Sequence, residues 1–120
     1  MKRTIWDYLN DIVDSMDKTQ EFVGGMTYDD FFREDKTQFA VVRALEIIGE
    51  ASKKIPVPIR EKYPQIPWRS ITGMRDKVVH EYFGLDLRVI WKTVKEDVPA
   101  VKPHFEKLLA AYACELQGDD

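Results

Sequence analysis

The chain has 120 residues and a formal net charge of −3, from 18 Lys and Arg against 21 Asp and Glu. That length suits a single domain over 1–120, and 44% hydrophobic with 32% charged residues excludes disordered and collagen-like chains. No apolar run approaches the ~20 residues of a membrane span, and the average charge, taken alone, argues against a nucleic-acid binder.

In chain order, the first residues turn acidic after Lys2 and Arg3 and lack the apolar stretch of a signal peptide, so a cytoplasmic location is expected. Ile5, Leu9, Ile12, Met16 and Val23 recur at helical spacing and predict a first helix, stopped by Gly24-Gly25. Asp7, Asp11 and Asp14 form a stripe on it that reads as a solvated face rather than a metal site. After a short segment from Tyr28 to Arg33, Asp35 is the expected N-cap of a second helix. Its apolar face is Phe39, Val42, Leu45, Ile48 and Ile55, with Gly49 and Ala51 small enough for close packing. Pro56 and Pro58 end it, and Ile59 to Pro67 is a connector with about one helical turn.

A third helix is expected from Pro67 through Trp68 and Met74 to about Phe83, closed by Gly84. Asp86 then caps a fourth, with Leu87, Ile90, Trp91, Val94 and Val98 as its apolar stripe. Pro99 breaks or kinks that helix, or stands in the first turn of the next. The last helix carries Val101, Phe105, Leu108, Leu109, Tyr112 and Leu116. Cys114, the lone cysteine, falls in this stretch as a structural residue, which excludes an internal disulfide and a thiolate zinc site. No segment alternates like a strand. The fold class expected is all-α, an antiparallel bundle of four to five helices.

The chemistry concentrates in the third helix. Of two histidines, His104 has ordinary neighbours, whereas His80 lies in Arg75-Asp76-Lys77-Val78-Val79-His80-Glu81-Tyr82. At about 100° per residue with Arg75 at 0°, His80 falls near 140° and Asp76 near 100°, while Tyr82 returns to about −20°. Asp76 and His80, four apart, share one side, and Arg75 and Tyr82 share the other, with Val79 and Phe83 as an apolar strip between. Arginine presents a planar fork to phosphate oxygens, and histidine moves protons near neutrality. Together they suffice for metal-independent RNA cleavage, with Asp76 orienting the imidazole. On spacing alone, an arginine–carboxylate bridge beside a helix-end histidine accounts for the same residues.

Arg75-x4-His80-x-Tyr82 resembles the R-x4-6-H motif of HEPN domains, in the R-x4-H-x-Y form of the HepT-like toxins. The flanks Trp68 to Met74 and Tyr82-Phe83-Gly84-Leu85-Asp86 are similar too, as is Ile47-Ile48-Gly49-Glu50-Ala51, so the likeness runs along the chain. The resemblance implies an all-α homodimer whose two motifs face one cleft, acting on RNA without a metal or cofactor. It also implies a minimal nucleotidyltransferase (MNT) antitoxin as partner, which transfers AMP from ATP to the motif tyrosine. Carried over, Arg75 and His80 are catalytic, Asp76 is supporting, and Tyr82 is the AMPylation target. The alternative within the same resemblance is a non-catalytic HEPN subunit that binds nucleotide or RNA for its nucleotidyltransferase.

The charge is unevenly spread. Residues 53–77 carry seven Lys or Arg against Glu61 and Asp76, a net of +5, whereas residues 1–35 total −5. Lys53, Lys54, Arg69 and Lys77 are the RNA- or phosphate-binding candidates on this basic stretch. Tyr63 and Trp68 within it are able to stack on unpaired bases or to pack inward, and for Trp68 packing is favoured.

Overall fold

Two reciprocal caps begin the fold. The Thr4 hydroxyl accepts from the Asp7 N–H at 3.2 Å, and the Asp7 carboxylate accepts from the Thr4 N–H at 2.7 Å, which opens α1 (Ile5–Val23). The Thr4 backbone bond keeps the Asp7 carboxyl below its ordinary pKa. Thr27 and Asp30 repeat the device at α2 (Tyr28–Phe32), the short segment expected there. Between them Gly25, at φ 77°, takes the left-handed conformation that ends α1. The computed structural model describes residues 2–83 and 86–118, with the side chains of Phe83 and of 114–118 outside that description.

Helix α3 (Asp35–Ser52) starts one residue earlier than its expected cap: Glu34 is the N-cap, without a side-chain bond, and Asp35 is the first helical residue. The Gln38 amide does the joining instead, donating to the Phe31 and Phe32 carbonyls at 2.9 Å each. Val41, Val42, Leu45, Ile48 and Ala51 are buried. Phe39 is not; it is 60% exposed, against the expectation of a core position. It stands about 120° around the helix from Leu45, at the edge of the buried stripe.

The basic connector is a small structure of its own. Pro56 precedes α4 (Val57–Glu61), and Ile55, Ile59 and Ile66 are buried beneath it. Arg60 braces it by donating from Nε to the Ile55 carbonyl at 2.8 Å and from Nη2 to the Lys53 carbonyl at 3.0 Å. Trp68 Nε1 donates to the Tyr63 carbonyl at 3.0 Å, and its ring meets Phe105 edge-on at 5.5 Å. The inward reading of Trp68 therefore holds.

The single third helix expected from Pro67 to Phe83 is two, α5 (Trp68–Thr72) and α6 (Met74–Phe83). Gly73 has φ −84° and ψ 0°, far from the ψ of about −42° that continues a helix, so the axis turns there. Beyond residue 86, α7 (Leu87–Lys92) passes through a π-helical stretch, Thr93–Asp97, into α8 (Val98–Gly118). Asp86 is at the N-cap of α7 without a side-chain bond, and Pro99 occupies the first turn of α8. Ile90, Val94, Val98, Phe105 and Leu108 are the buried side of this path. Gly84 lies outside the described residues, and Cys114 and Leu116 fall within α8 with their side chains outside that description.

The bundle is antiparallel where its register is visible. Lys102 pairs with Asp17, and Gln20 Nε2 donates to the Val94 carbonyl at 2.8 Å, so α8 runs against α1. Phe39 meets Tyr82 while Gly49 meets Arg75, so α6 runs against α3. No strand occurs among the described residues, and no helix among them is long and apolar enough to cross a membrane.

The α3–α6 crossing is tight at Gly49. A Cβ there would lie 2.8 Å from the Arg75 backbone nitrogen and 3.3 Å from its Cβ. Gly49→Ala is expected to destabilise the protein, because overpacking against backbone costs about 1–3 kcal/mol and helix propensity returns about 1 kcal/mol. Denaturant unfolding of the two proteins measures this difference; a more stable alanine variant would show that the helices separate freely.

Candidate active site

Helix α6 inserts Met74 and Val78 into the core, four residues apart on one edge. The apolar strip expected at Val79 and Phe83 is thus displaced around the axis. Val79 is only half-buried, and the Phe83 side chain lies outside the described residues. The physical reason is the Gly49 contact, which turns the Arg75 side of the helix onto α3 and the Met74–Val78 side onto the core.

That orientation decides where Arg75 goes. Its Nε lies 3.1 Å from Glu50 and 3.9 Å from Glu46, and Arg43 lies 3.8 Å from each of the same carboxylates. The arginine–carboxylate bridge is therefore present, contributed by α3 rather than by Asp76. Arg75 remains 50% exposed, and ion pairs of this exposure contribute about 0–1 kcal/mol. Their effect is on direction: two carboxylates and a second guanidinium surround Arg75 at the surface of the α3–α6 seam.

His80 is exposed on the opposite flank of α6, about 140° from Arg75. Asp76 is exposed as well, and among the described residues no hydrogen bond or ion pair joins it to His80. Arg75 and Tyr82, by contrast, both meet α3 at one seam. Tyr82 is half-buried, its ring meeting Phe39 edge-on at 5.6 Å. Burial raises its phenol pKa above the ordinary value, and the nearby negative charge of Asp35 adds to the rise.

The four basic candidates divide. Lys53 and Lys54 lie at the end of α3, where Lys54 lines a groove of about 690 Å³ between α1 and α3. Arg69 and Lys77 line a separate cavity of about 530 Å³ between α5–α6 and α8. Among the described residues no group of three His, Cys, Asp or Glu is placed to hold a metal. The residues that motif reading missed are Phe39, Arg43, Glu46 and Glu50. Their spacing of four, three and four already puts them on one helical face.

An all-α bundle carrying R-x4-H-x-Y on a helix packed against a second long helix is the HEPN architecture. The model of the HepT-like ribonuclease family matches residues 12–108, and the chain belongs to that family. It is 56% identical over 90% of its length, and 98% of the relative's, to a protein of Thermococcus cleftensis named "Probable ribonuclease HepT". It is 45% identical over 99% of its length, and 95% of the relative's, to a Methanocaldococcus jannaschii protein named "Putative RNase MJ1216". No solved structure matches the chain.

The Tyr82 environment has a measurable consequence. Asp35→Asn is expected to lower the Tyr82 pKa toward its ordinary value, read as the difference in tyrosinate absorbance between each protein and its Tyr82→Phe counterpart. Because the folded chain holds this proton more tightly than the unfolded one, the associated stability is present below about pH 10 and is lost as pH rises through the folded pKa.

Proposed function

We propose that the protein is a metal-independent endoribonuclease, the toxin of a HEPN–MNT pair, working as a homodimer and silenced by AMP transfer to Tyr82. The observation that carries the reading is the placement of one exposed guanidinium, Arg75, and one exposed imidazole, His80, on a single helix of a HepT-like ribonuclease. His80 takes the proton of an RNA 2′-hydroxyl as its oxygen bonds to the adjacent phosphorus. The bond to the 5′-oxygen breaks, and that oxygen gains a proton. The products are a 2′,3′-cyclic phosphate and a 5′-hydroxyl. Arg75 stabilises the charge on the phosphoryl oxygens.

Helix geometry is compatible with the homodimer that the family resemblance implies. Arg75 and His80 diverge by about 140° on one helix, so a second copy across a twofold axis supplies the facing half of the cleft and the proton for the leaving oxygen. Lys53, Lys54, Arg69 and Lys77 hold flanking phosphates. In the switch, the Tyr82 phenolic oxygen bonds to the α-phosphorus of ATP, pyrophosphate leaves, and the phenolic proton is released. The transferase supplies the base that takes this proton. The adduct would lie beside Arg75, adding bulk and phosphate charge where RNA phosphate binds.

Purified, unmodified protein should cleave RNA in the presence of chelator. Arg75→Ala and His80→Ala should each lower the rate about 100-fold or more with the fold intact by circular dichroism. RNA binding without cleavage by the unmodified protein would instead favour the non-catalytic HEPN subunit. Co-expression with an MNT-type nucleotidyltransferase should add AMP to the intact mass, and Tyr82→Phe should remove the main adduct. Persistence of that adduct would place the modification elsewhere.

A further inference from the structure

Two concavities flank the site, and their charges differ in kind. In the α1–α3 groove three of the four cations face carboxylates, Arg3 pairing with Asp11 at 2.6 Å, Lys18 with Asp14 at 2.9 Å and Arg43 with Glu50 at 3.8 Å, which leaves Lys54 alone without an ion pair among the described residues. In the cavity between α5–α6 and α8, Arg69 and Lys77 make no ion pair among the described residues. The cavity's one carboxylate, Asp97, is already held by Lys92 at 3.5 Å. This second concavity therefore carries an uncompensated positive charge.

Its construction suits a flat apolar group below an anion. Gly73, where the α5–α6 axis turns, contributes no side chain, and Ile71, Met74, Val78 and Val101 form an apolar floor. The volume of about 530 Å³ is within the range of small-molecule sites. Arg69 and Lys77 stand exposed above that floor. Along α6, Lys77 precedes His80 by three residues, about 4.5 Å of rise and 60° of rotation. Lys77, at the cavity's margin, is thus next to His80 on the helix, while Met74 and Val78 continue the lining around the axis toward the Arg75 side.

We infer that this cavity is a nucleotide subsite for unpaired RNA, receiving the base beside the cleaved bond while Arg69 and Lys77 hold its phosphate. The inference rests on the ribonuclease reading above and specifies its substrate as single-stranded. A base engaged in a duplex is stacked and paired, so it does not enter a side cavity, whereas a splayed base brings an apolar face to the floor. Arginine gives the phosphate a planar two-point contact and lysine a point charge.

The test is fluorescence anisotropy of a labelled single-stranded oligoribonucleotide with the His80→Ala protein, which binds without cutting. Adding Arg69→Glu and Lys77→Glu should weaken binding at least 10-fold. It should also lower the slope of log affinity against log salt by about 1.4, for two phosphate contacts on a single strand. Ala100→Trp, at an exposed lining position, should block the cavity and weaken binding about 10-fold with the salt slope unchanged. Annealing the oligonucleotide to its complement should weaken binding to the His80→Ala protein itself. Equal affinity and slope in the charge-reversed protein, or equal affinity for single strand and duplex, overturns the subsite and leaves the ribonuclease reading standing. Failure of the His80→Ala protein to bind RNA, together with failure of the wild type to cleave it, overturns both. Thermal melting of each variant separates lost binding from lost fold.

Discussion

The close approach of α6 to Gly49 governs the geometry of the site. A helix that meets another at a glycine comes near enough for backbone-to-backbone contact, and here the contact falls on the amide of Arg75 itself. Because the crossing is set at that residue, the rotation of α6 about its axis is set with it. Arg75 and Tyr82, near 0° and −20°, must face α3, while Met74 and Val78 must face the core. His80, near 140°, is left to solvent. A larger residue at position 49 would move the arginine and the histidine together, since both ride on one rigid helix.

The same crossing explains why one face of α3 is polar and aromatic where a core face is expected. Phe39, Arg43, Glu46 and Glu50 line the seam opposite Tyr82 and Arg75, so their partners are on the functional helix and not in the interior. Two carboxylates beside an arginine proposed to bind phosphate look counterproductive until the exposure is considered. At the surface their attraction is screened, so an RNA phosphate would compete with them on similar terms. The carboxylates keep the guanidinium at the seam when no phosphate is present. They also make Arg75 binding sensitive to what else occupies that seam, which is where an adduct on Tyr82 would be.

Much of this was legible in the residues. Helical periodicity and the Gly24-Gly25 stop locate α1, the Val42, Leu45 and Ile48 spacing locates α3, which ends at Ser52 before Ile55 and the prolines expected to close it, and Arg75-x4-His80-x-Tyr82 marks the helix of the candidate site. Three features were not legible, each for a physical reason. Gly73 sits inside a continuous helical pattern, and nothing local distinguishes a tolerated glycine from one whose ψ of 0° turns the axis. Phe39 has the composition of a core residue, and only the tertiary position of α6 shows that it borders Tyr82 instead. Glu50 is 25 positions from Arg75, so its pairing depends on a helix crossing that spacing does not encode. The Thr4–Asp7 and Thr27–Asp30 caps do carry a local signal, threonine followed three residues later by a carboxylate.

Net charge misleads here because charges are used in different ways. Asp11 and Asp14 answer Arg3 and Lys18 on α1, Asp17 answers Lys102 on α8, and Asp7 caps its own helix. Such acids are neutralised locally and repel an approaching phosphate much less than a count of −3 implies. The basic stretch divides in the same way. Arg60 is turned inward onto two backbone carbonyls, and Arg75 is matched by glutamates. What remains for a polyanion is the subset without such partners, and Arg69 and Lys77 belong to it at the margin of a cavity. A chain that is acidic on average thus presents an unneutralised basic surface next to its exposed histidine. For a protein of this size the placement of two unpaired cations shapes the field at that cavity more than the sum of thirty-nine charges does.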